Sequence, residues 1–122
     1  MTCTVILEAR VKPEFIDGMA EGFKGLFPDT RSFDGCIDLY ATQSDDDPQQ
    51  FLIVETWESR QKYEAYFAWR VETGVIADMN AMLEVDLELR FFNRIGAWAS
   101  ARLVTVCRHR HVGRKYMRAI AV

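Results

Sequence analysis

A chain of 122 residues, 49% hydrophobic and 27% charged, has the balance of a single globular domain. Glu8, Arg10 and Lys12 interrupt its first apolar stretch, which rules out the apolar run of a signal peptide, and no stretch reaches the ~18 apolar residues of a spanning helix. We therefore expect a cytoplasmic protein without a membrane partner.

Charge is distributed unevenly along the chain. Residues 1–93 contain all 18 acidic residues and 8 of the 15 Lys and Arg, so this part is strongly acidic and unlike a nucleic-acid-binding domain. Residues 94–122 contain the other 7 basic residues and no acidic one. We predict a domain over 1–93 and a basic extension over 94–122. The extension is open to three interpretations: an element wrapping a partner subunit, a disordered arm, or a segment foreign to the fold.

The first two elements are a strand and a helix. Apolar and charged residues alternate in the segment 3–12, which is typical of a half-buried strand. Pro13 suits the first turn of a helix, and apolar residues then recur at helical spacing as far as residue 27. One side of this helix carries three glycines, which indicate either a soft helix or a close approach of its backbone to a strand or ligand: Gly18, Gly22 and Gly25.

A hairpin comes next. Residues 36–43 alternate in polarity, and the polar loop 44–50 leads into an apolar strand over 51–57. The three aspartates of that loop lack the alternating ligand spacing of a calcium site, so we interpret it as a solvated turn. Ser59 is a suitable N-cap for a helix over 60–72.

A short helix and a fourth strand complete the domain. Gly74 is a stop signal, residues 75–83 have apolar residues at helical spacing, and residues 84–94 show the clearest alternation in the chain. The order β-α-β-β-α-β predicts an α+β, ferredoxin-like fold, in which two helical segments cover one face of a four-stranded antiparallel sheet. The open face of such a sheet favours a homodimer.

One carboxylate interrupts an apolar face of the third strand. The strand period places Glu55 between Ile53 and Trp57. Burial there would raise the pKa of the carboxyl toward neutrality, the property that a general base or acid needs. The structural alternative is an interface salt bridge, or a cross-strand pair with Arg10 or Arg90.

The helix that follows carries more aromatic rings than a core requires. Tyr63, Phe67 and Arg70 share one line of that helix, and Tyr66 and Arg70 share another. Each ring alone is explained by core packing, but tyrosine hydroxyls want polar partners. The cluster therefore favours a pocket for a flat aromatic ligand.

Other chemistries lack their sequence signatures. The chain has no G-x-S-x-G, Walker or G-x-G-x-x-G motif. Cys107, His109 and His111 alternate in the basic extension, but arginines separate them and no fourth ligand is near, so we expect no metal site. We interpret the three widely spaced cysteines as free thiols of a reducing compartment.

Three stretches of the chain resemble one known family. They are VILEARVKPEF, the R-x-F-D-G-C of residues 31–36 and, above all, the V-E-x-W-x-S-x-x-x-Y corner of residues 54–63. The family is that of the antibiotic biosynthesis monooxygenases, small dimeric α+β barrel proteins, and the resemblance spans about residues 3–93. It implies a homodimer joined by sheet faces, and oxygenation of polycyclic phenols or quinols by dioxygen without metal, flavin or other cofactor.

The resemblance also implies roles for particular residues. Trp57 and Tyr63 correspond to a cavity tryptophan and tyrosine of the polyketide-oxidising members. Those members carry an asparagine where this chain has Ile53, which leaves Glu55 as the best polar group on that face. The mechanism of those members therefore does not transfer unchanged.

The haem-degrading branch of the family shares the same corner. Its strand-one asparagine, helix tryptophan and haem-ligating histidine correspond here to Ala9, Tyr66 and Ile76. Without these side chains, haem degradation is disfavoured.

Together these observations predict a cofactor-free monooxygenase for an aromatic phenol or quinol. Glu55, Trp57 and Tyr63 are the predicted catalytic residues. The side chains expected against the ligand are Ile53, Tyr66, Phe67 and Arg70. The alternative is a dimeric small-ligand-binding or regulatory module of the same fold without redox activity.

Overall fold

A computed structural model describes residues 2–96 of the protein. Its elements are β1 (Cys3–Arg10), α1 (Ile16–Ser32), β2 (Cys36–Gln43), β3 (Gln50–Trp57), α2 (Arg60–Glu72), α3 (Val75–Ala81) and β4 (Glu88–Phe92), with a 3-10 turn at Pro13–Phe15 before α1. No helix within residues 2–96 is long and apolar enough to cross a membrane. Most of the basic extension, including Cys107, His109 and His111, lies outside the described residues.

The four strands form one antiparallel sheet in the order β2-β3-β1-β4. This order, with the helices inserted after β1 and β3, confirms the predicted ferredoxin-like α+β fold. Alternate residues of β1 and β3 are buried, and the register pairs Leu7 with Ile53 and Val5 with Glu55 on that buried face. The residues of β1 and β3 that alternate with these buried ones point to the opposite face and are only half-buried. One face of the sheet therefore carries the core of the domain, and the other is open.

The first helix is longer than the sequence pattern predicts. It was expected to end at residue 27, but α1 continues through Pro28 to Ser32. Proline lacks the N–H for one intrahelical hydrogen bond. Two side chains hydrogen-bond back to main-chain oxygens in this last part of the helix: Thr30 Oγ1 to Leu26 O at 3.3 Å and Ser32 Oγ to Pro28 O at 2.9 Å. The extension places Thr30 in the core, which matters for the site below.

The fourth strand is shorter than predicted. The prediction of a strand over 84–94 is wrong at its beginning, because β4 spans only Glu88–Phe92 and Val85 is exposed. Instead, Leu83 makes an isolated bridge to Val11, and the N–H of Leu87 donates to Asn80 Oδ1 at 2.9 Å. The first contact holds the start of the segment beside the end of β1, and the second holds its end against α3, before the pairing of β4 with β1 begins.

The helical glycines do not approach another backbone. A Cβ built at Gly18, Gly22 or Gly25 would have no neighbouring atom within 4 Å, so of the two interpretations the close approach to a strand is wrong. Gly35 and Gly74 are different, since their φ angles of 96° and 86° lie in the left-handed region that favours glycine.

We expect Gly25→Ala to stabilise the fold by about 0.5–1 kcal/mol, because alanine lowers the entropy cost of forming the helix and meets open space. Urea unfolding followed by circular dichroism measures this change. Gly35→Ala is the opposing control, because its Cβ would lie 2.6 Å from the Lys62 side chain at a left-handed φ. A loss of stability in Gly25→Ala would contradict the assignment of that glycine to an open helix surface.

Candidate active site

The corner between β3 and α2 places the predicted site residues over the buried face of the sheet. Trp57 is the last residue of β3, and Ser59 caps α2 by accepting a hydrogen bond from the N–H of Lys62 at 3.2 Å, as its sequence position predicts. The helix then runs back across the sheet. Its buried side chains are Tyr63, Tyr66 and Arg70.

Glu55 is buried on the helix-covered face, with 4% of its surface exposed. Its Oε1 accepts a hydrogen bond of 2.8 Å from Nε1 of Trp57. The predicted alternative of a cross-strand pair is wrong, because Arg10 pairs with Asp47 and Glu84. Arg90 pairs with Glu8 and is likewise engaged away from Glu55.

The Glu55 carboxyl has a perturbed acidity. Burial raises its pKa to about 7, because removing the carboxylate from water disfavours the charged form. The hydrogen bond from Trp57 and the charge of Arg70 act in the opposite direction without cancelling that effect. Near neutral pH the group therefore exists in both protonation states.

Tyr63 lies beside this pair with an unsatisfied hydroxyl. Its ring packs edge-on against Trp57, with 5.5 Å between the ring centroids, and 1% of the residue is exposed. Its Oη makes no hydrogen bond with any atom of residues 2–96. Burial, followed by the charge of Glu55, raises the pKa of this phenol above its usual value. A buried hydroxyl without a partner is costly and uncommon, which makes this atom a candidate contact for a ligand.

Arg70 joins α2 to α1 through neutral oxygens. Its Nε donates to Tyr66 Oη at 2.9 Å, and its Nη2 donates to Leu26 O at 3.0 Å and to Thr30 Oγ1 at 3.1 Å. The Tyr66 and Thr30 hydroxyls share a further hydrogen bond of 2.7 Å. This network fixes one end of the site.

A cavity of about 30 Å³ lies between the sheet and the helices. Its polar lining side chains are Glu55, Tyr63, Tyr66, Thr30 and Arg70. Its apolar lining includes Ile53 and Phe67, together with side chains from α1, α3 and β1. Every predicted site residue except Trp57 therefore borders this space, whereas Trp57 lies behind Glu55 in the aromatic core. The volume accommodates about one or two waters, not an aromatic ligand.

An open groove of about 160 Å³ adjoins the cavity between α1 and α3. The two spaces share the side chains of Phe23, Leu26, Val75 and Met79, and the groove is also lined by Gly18 and Gly22. Methionine is unbranched and adapts its shape readily. Displacement of Met79 would join the small cavity to this glycine-lined groove.

Sequence reasoning missed Thr30 and the carbonyl of Leu26. Both lie near the end of α1, and a helix predicted to end at residue 27 excludes Thr30 from the core. The four-residue spacing from Leu26 to Thr30 was the available signal, but it required the helix to continue through Pro28. Within residues 2–96, no group of three or more His, Cys, Asp or Glu side chains is arranged to hold a metal.

The sequence profile of the antibiotic biosynthesis monooxygenase family matches residues 2–69. The chain belongs to the antibiotic biosynthesis monooxygenase family. This match covers β1 to α2 and includes Glu55, Trp57 and Tyr63. No curated protein matches this member of the family.

Solved structures of the same fold are similar to this family member over most of its length. A conserved protein from Methanosarcina mazei Go1 superimposes with a TM-score of 0.70 at 19% identity, covering 77% of this chain and 93% of the other. The protein Rv0793 from Mycobacterium tuberculosis gives 0.71 at 15% identity, with coverages of 81% and 100%. A structure described as an antibiotic biosynthesis monooxygenase gives 0.69 at 23% identity, with coverages of 77% and 99%. At these identities the superpositions establish the fold alone.

We expect Glu55 to make folding stability depend on pH. Its pKa is raised on folding, so the folded state retains a proton that the unfolded state releases above about pH 4.5. Stability should therefore fall as pH rises from about 4.5 to 7, by on the order of 3 kcal/mol.

Glu55→Gln removes this titration and still offers an oxygen to Trp57. The variant should match the wild type near pH 4 and exceed its unfolding free energy above pH 7. Urea unfolding of both proteins across this range measures the difference, and Glu72→Gln, on the exposed end of α2, is the matched control. A difference between Glu55→Gln and wild type that does not change with pH would contradict the assignment.

Proposed function

We propose that the protein is a cofactor-independent monooxygenase acting on an aromatic phenol or quinol. The observation that carries this proposal is a buried carboxylate, Glu55, with a pKa of about 7, bordering a cavity beside the unpartnered hydroxyl of Tyr63. A general base is most effective when its pKa lies near the working pH. The family match supports oxygenase chemistry, and the substrate class is our own inference.

The reaction would begin with proton transfer from the substrate hydroxyl to the Glu55 carboxylate. The resulting anion gives one electron to dioxygen, and recombination of the carbon radical with superoxide forms a C–O bond. The peroxide takes up a proton and loses water, leaving a carbonyl. In balance, one dioxygen converts the C–H carbon of the phenol form, which is the CH₂ carbon of its keto tautomer, to C=O; the hydrogens of that C–H and of the hydroxyl leave as one water, so no external reductant is required.

The other predicted residues would have distinct roles. Tyr63 would donate its free hydroxyl to a ligand oxygen, and Ile53 and Phe67 would pack against the ring system. Trp57 does not border the cavity, so we assign it a positioning role through its hydrogen bond to Glu55. Tyr66 is engaged with Arg70 and Thr30 and forms the wall of the site.

An aromatic substrate requires the cavity to enlarge. The wall that the cavity shares with an existing groove contains Phe23 and three aliphatic side chains, Leu26, Val75 and Met79. The short helix α3 carries two of these three side chains and follows the left-handed Gly74. We propose that a substrate enters from the groove by displacing Met79.

We expect oxygen consumption with a panel of anthrones and naphthoquinols, with a rate that rises with pH through about 7 as Glu55 ionises. Glu55→Gln should lower kcat/KM by about 10²–10⁴-fold. Trp57→Phe removes a hydrogen bond that favours the carboxylate, so it should move the midpoint of the pH profile upward. An oxygen electrode measures each rate against a protein-free background.

Glu72→Gln is the matched control and should behave as wild type. If the protein binds a ligand but consumes no oxygen, the result would reject the oxygenase proposal in favour of the alternative, a small-ligand-binding module without redox activity. Absence of both binding and turnover across the panel would reject an aromatic phenol or quinol as the substrate.

The open face of the sheet supports a homodimer. Ile6 and Tyr40 both pair with Val54, which places a row of apolar side chains across the middle of this face, and Tyr40 is half exposed. We propose that a second copy covers this surface. The division into a 1–93 domain and a 94–122 extension, and the cytoplasmic location, remain predictions.

We expect Val54→Lys to dissociate the dimer, because it would bury an unpaired charge at the centre of the proposed interface. Sedimentation equilibrium gives the mass, and circular dichroism verifies the fold. Val71→Lys, which introduces the same charge at an exposed apolar position of α2, should leave the dimer intact. A wild-type mass of one chain at micromolar concentration would reject the dimer.

A further inference from the structure

Arg70 is a buried cation without an anion in contact. Only 4% of the residue is exposed, and no carboxylate oxygen of residues 2–96 lies within 4.0 Å of its guanidinium nitrogens. Its hydrogen bonds go to a phenol, a hydroxyl and a main-chain carbonyl, all of them neutral acceptors. Buried charges are normally paired, because an isolated charge loses its hydration without compensation.

Glu55 is the one carboxylate among the described residues that line the cavity, and it forms no ion pair with Arg70. Arg70 acts on the Glu55 carboxyl only as a weaker opposing influence, and desolvation dominates. Since the two groups border the same cavity without touching, a ligand oxygen could lie between them. The other titratable groups near Glu55 and Tyr63 are Cys3 on β1, Cys36 on β2 and Tyr66 on α2.

Charge balance then defines the ligand. With Glu55 ionised, the pair Glu55 and Arg70 has no net charge. If a phenol transfers its proton to Glu55, the phenolate and Arg70 again have no net charge. The transfer therefore moves negative charge toward the buried cation without adding charge to a site of low polarity.

We propose that Arg70 is the counter-cation of a phenolate oxygen bound in this cavity, and that Glu55 carries a proton in the complex. The ligand class is then an acidic phenol held as its anion, with Tyr63 Oη donating a second hydrogen bond. This inference rests on the cavity of the proposed function, but it does not require the oxygen chemistry. It makes Arg70 a specificity-determining residue that discriminates ionisable phenols from neutral aromatics of the same shape.

The probe is 4-nitrophenol, whose neutral and ionised forms have different absorption spectra, titrated under argon. We expect the bound ligand to show the phenolate spectrum at pH 6, where the free compound is mostly neutral. At pH 8, calorimetry in buffers of different ionisation enthalpy should show uptake of about one proton, because Glu55 must become protonated. Nitrobenzene, which has the same ring without an acidic group, should bind at least about tenfold more weakly.

Two variants of Arg70 separate charge from packing. Arg70→Lys keeps the cation and should keep the phenolate spectrum, whereas Arg70→Gln keeps hydrogen bonding without charge and should lose about tenfold or more in affinity for the anion. Glu55→Gln imitates the protonated carboxyl, so it should bind phenolate without proton uptake. The proton uptake of Glu55→Gln does not depend on whether the Arg70 variants fold. Thermal unfolding verifies that the Arg70 variants are folded.

Binding of the neutral form, equal affinity for nitrobenzene, no binding of either compound, or unchanged proton uptake in Glu55→Gln would each overturn the inference. Failure of the proposed function gives a different pattern. In that case phenolate binding persists under argon, and no oxygen is consumed in air. Conversely, oxygen consumption that is unaffected by Arg70→Gln would reject the role of Arg70 and leave the oxygenase proposal standing.

Discussion

The burial of Glu55 is the constraint on which the site depends. A carboxylate on the covered face of a sheet is unfavourable, and the indole N–H of Trp57, two residues along the same strand face, provides a hydrogen bond at 2.8 Å. The Trp57 ring in turn packs against Tyr63 and Tyr66, so α2 is held over the carboxyl by the same residue that satisfies it. The carboxyl therefore has an orientation and an acidity that a solvent-exposed glutamate would lack.

The second anchor of the site is the network at the end of α1. Arg70 reaches the Leu26 carbonyl and the Thr30 hydroxyl, and Tyr66 shares the Thr30 hydroxyl. These bonds bring a positive charge to one end of the cavity, while Glu55 lies on the sheet below. The small, mainly apolar cavity thus lies between the Arg70 cation and the Glu55 carboxyl. Electrostatic interactions in such a space are stronger than in water.

Ile53 fits this arrangement, at the position where the resemblance to the polyketide-oxidising members predicts an asparagine. Ile53 borders the cavity with an apolar side chain and provides no amide for a ligand oxygen. The polar groups available to a ligand are instead the Glu55 carboxyl, the Tyr63 hydroxyl and the Arg70 guanidinium. A ligand in this cavity would therefore meet charged and phenolic groups, and the shared fold by itself does not fix its chemistry.

The sequence alone determined the order of elements, the sheet face of Glu55 and the caps of α2, because strand alternation, helical spacing, Ser59 and Gly74 are local signals. It also placed Tyr63, Tyr66, Phe67 and Arg70 on one helix. Only the tertiary structure decided that Glu55 contacts Trp57 instead of an arginine, that the Tyr63 hydroxyl has no partner within residues 2–96, and that the cavity is too small for an aromatic ligand. The cavity is bordered by side chains from β1, β3 and all three helices, and Thr30 reaches it only because α1 continues through Pro28, which periodicity does not encode.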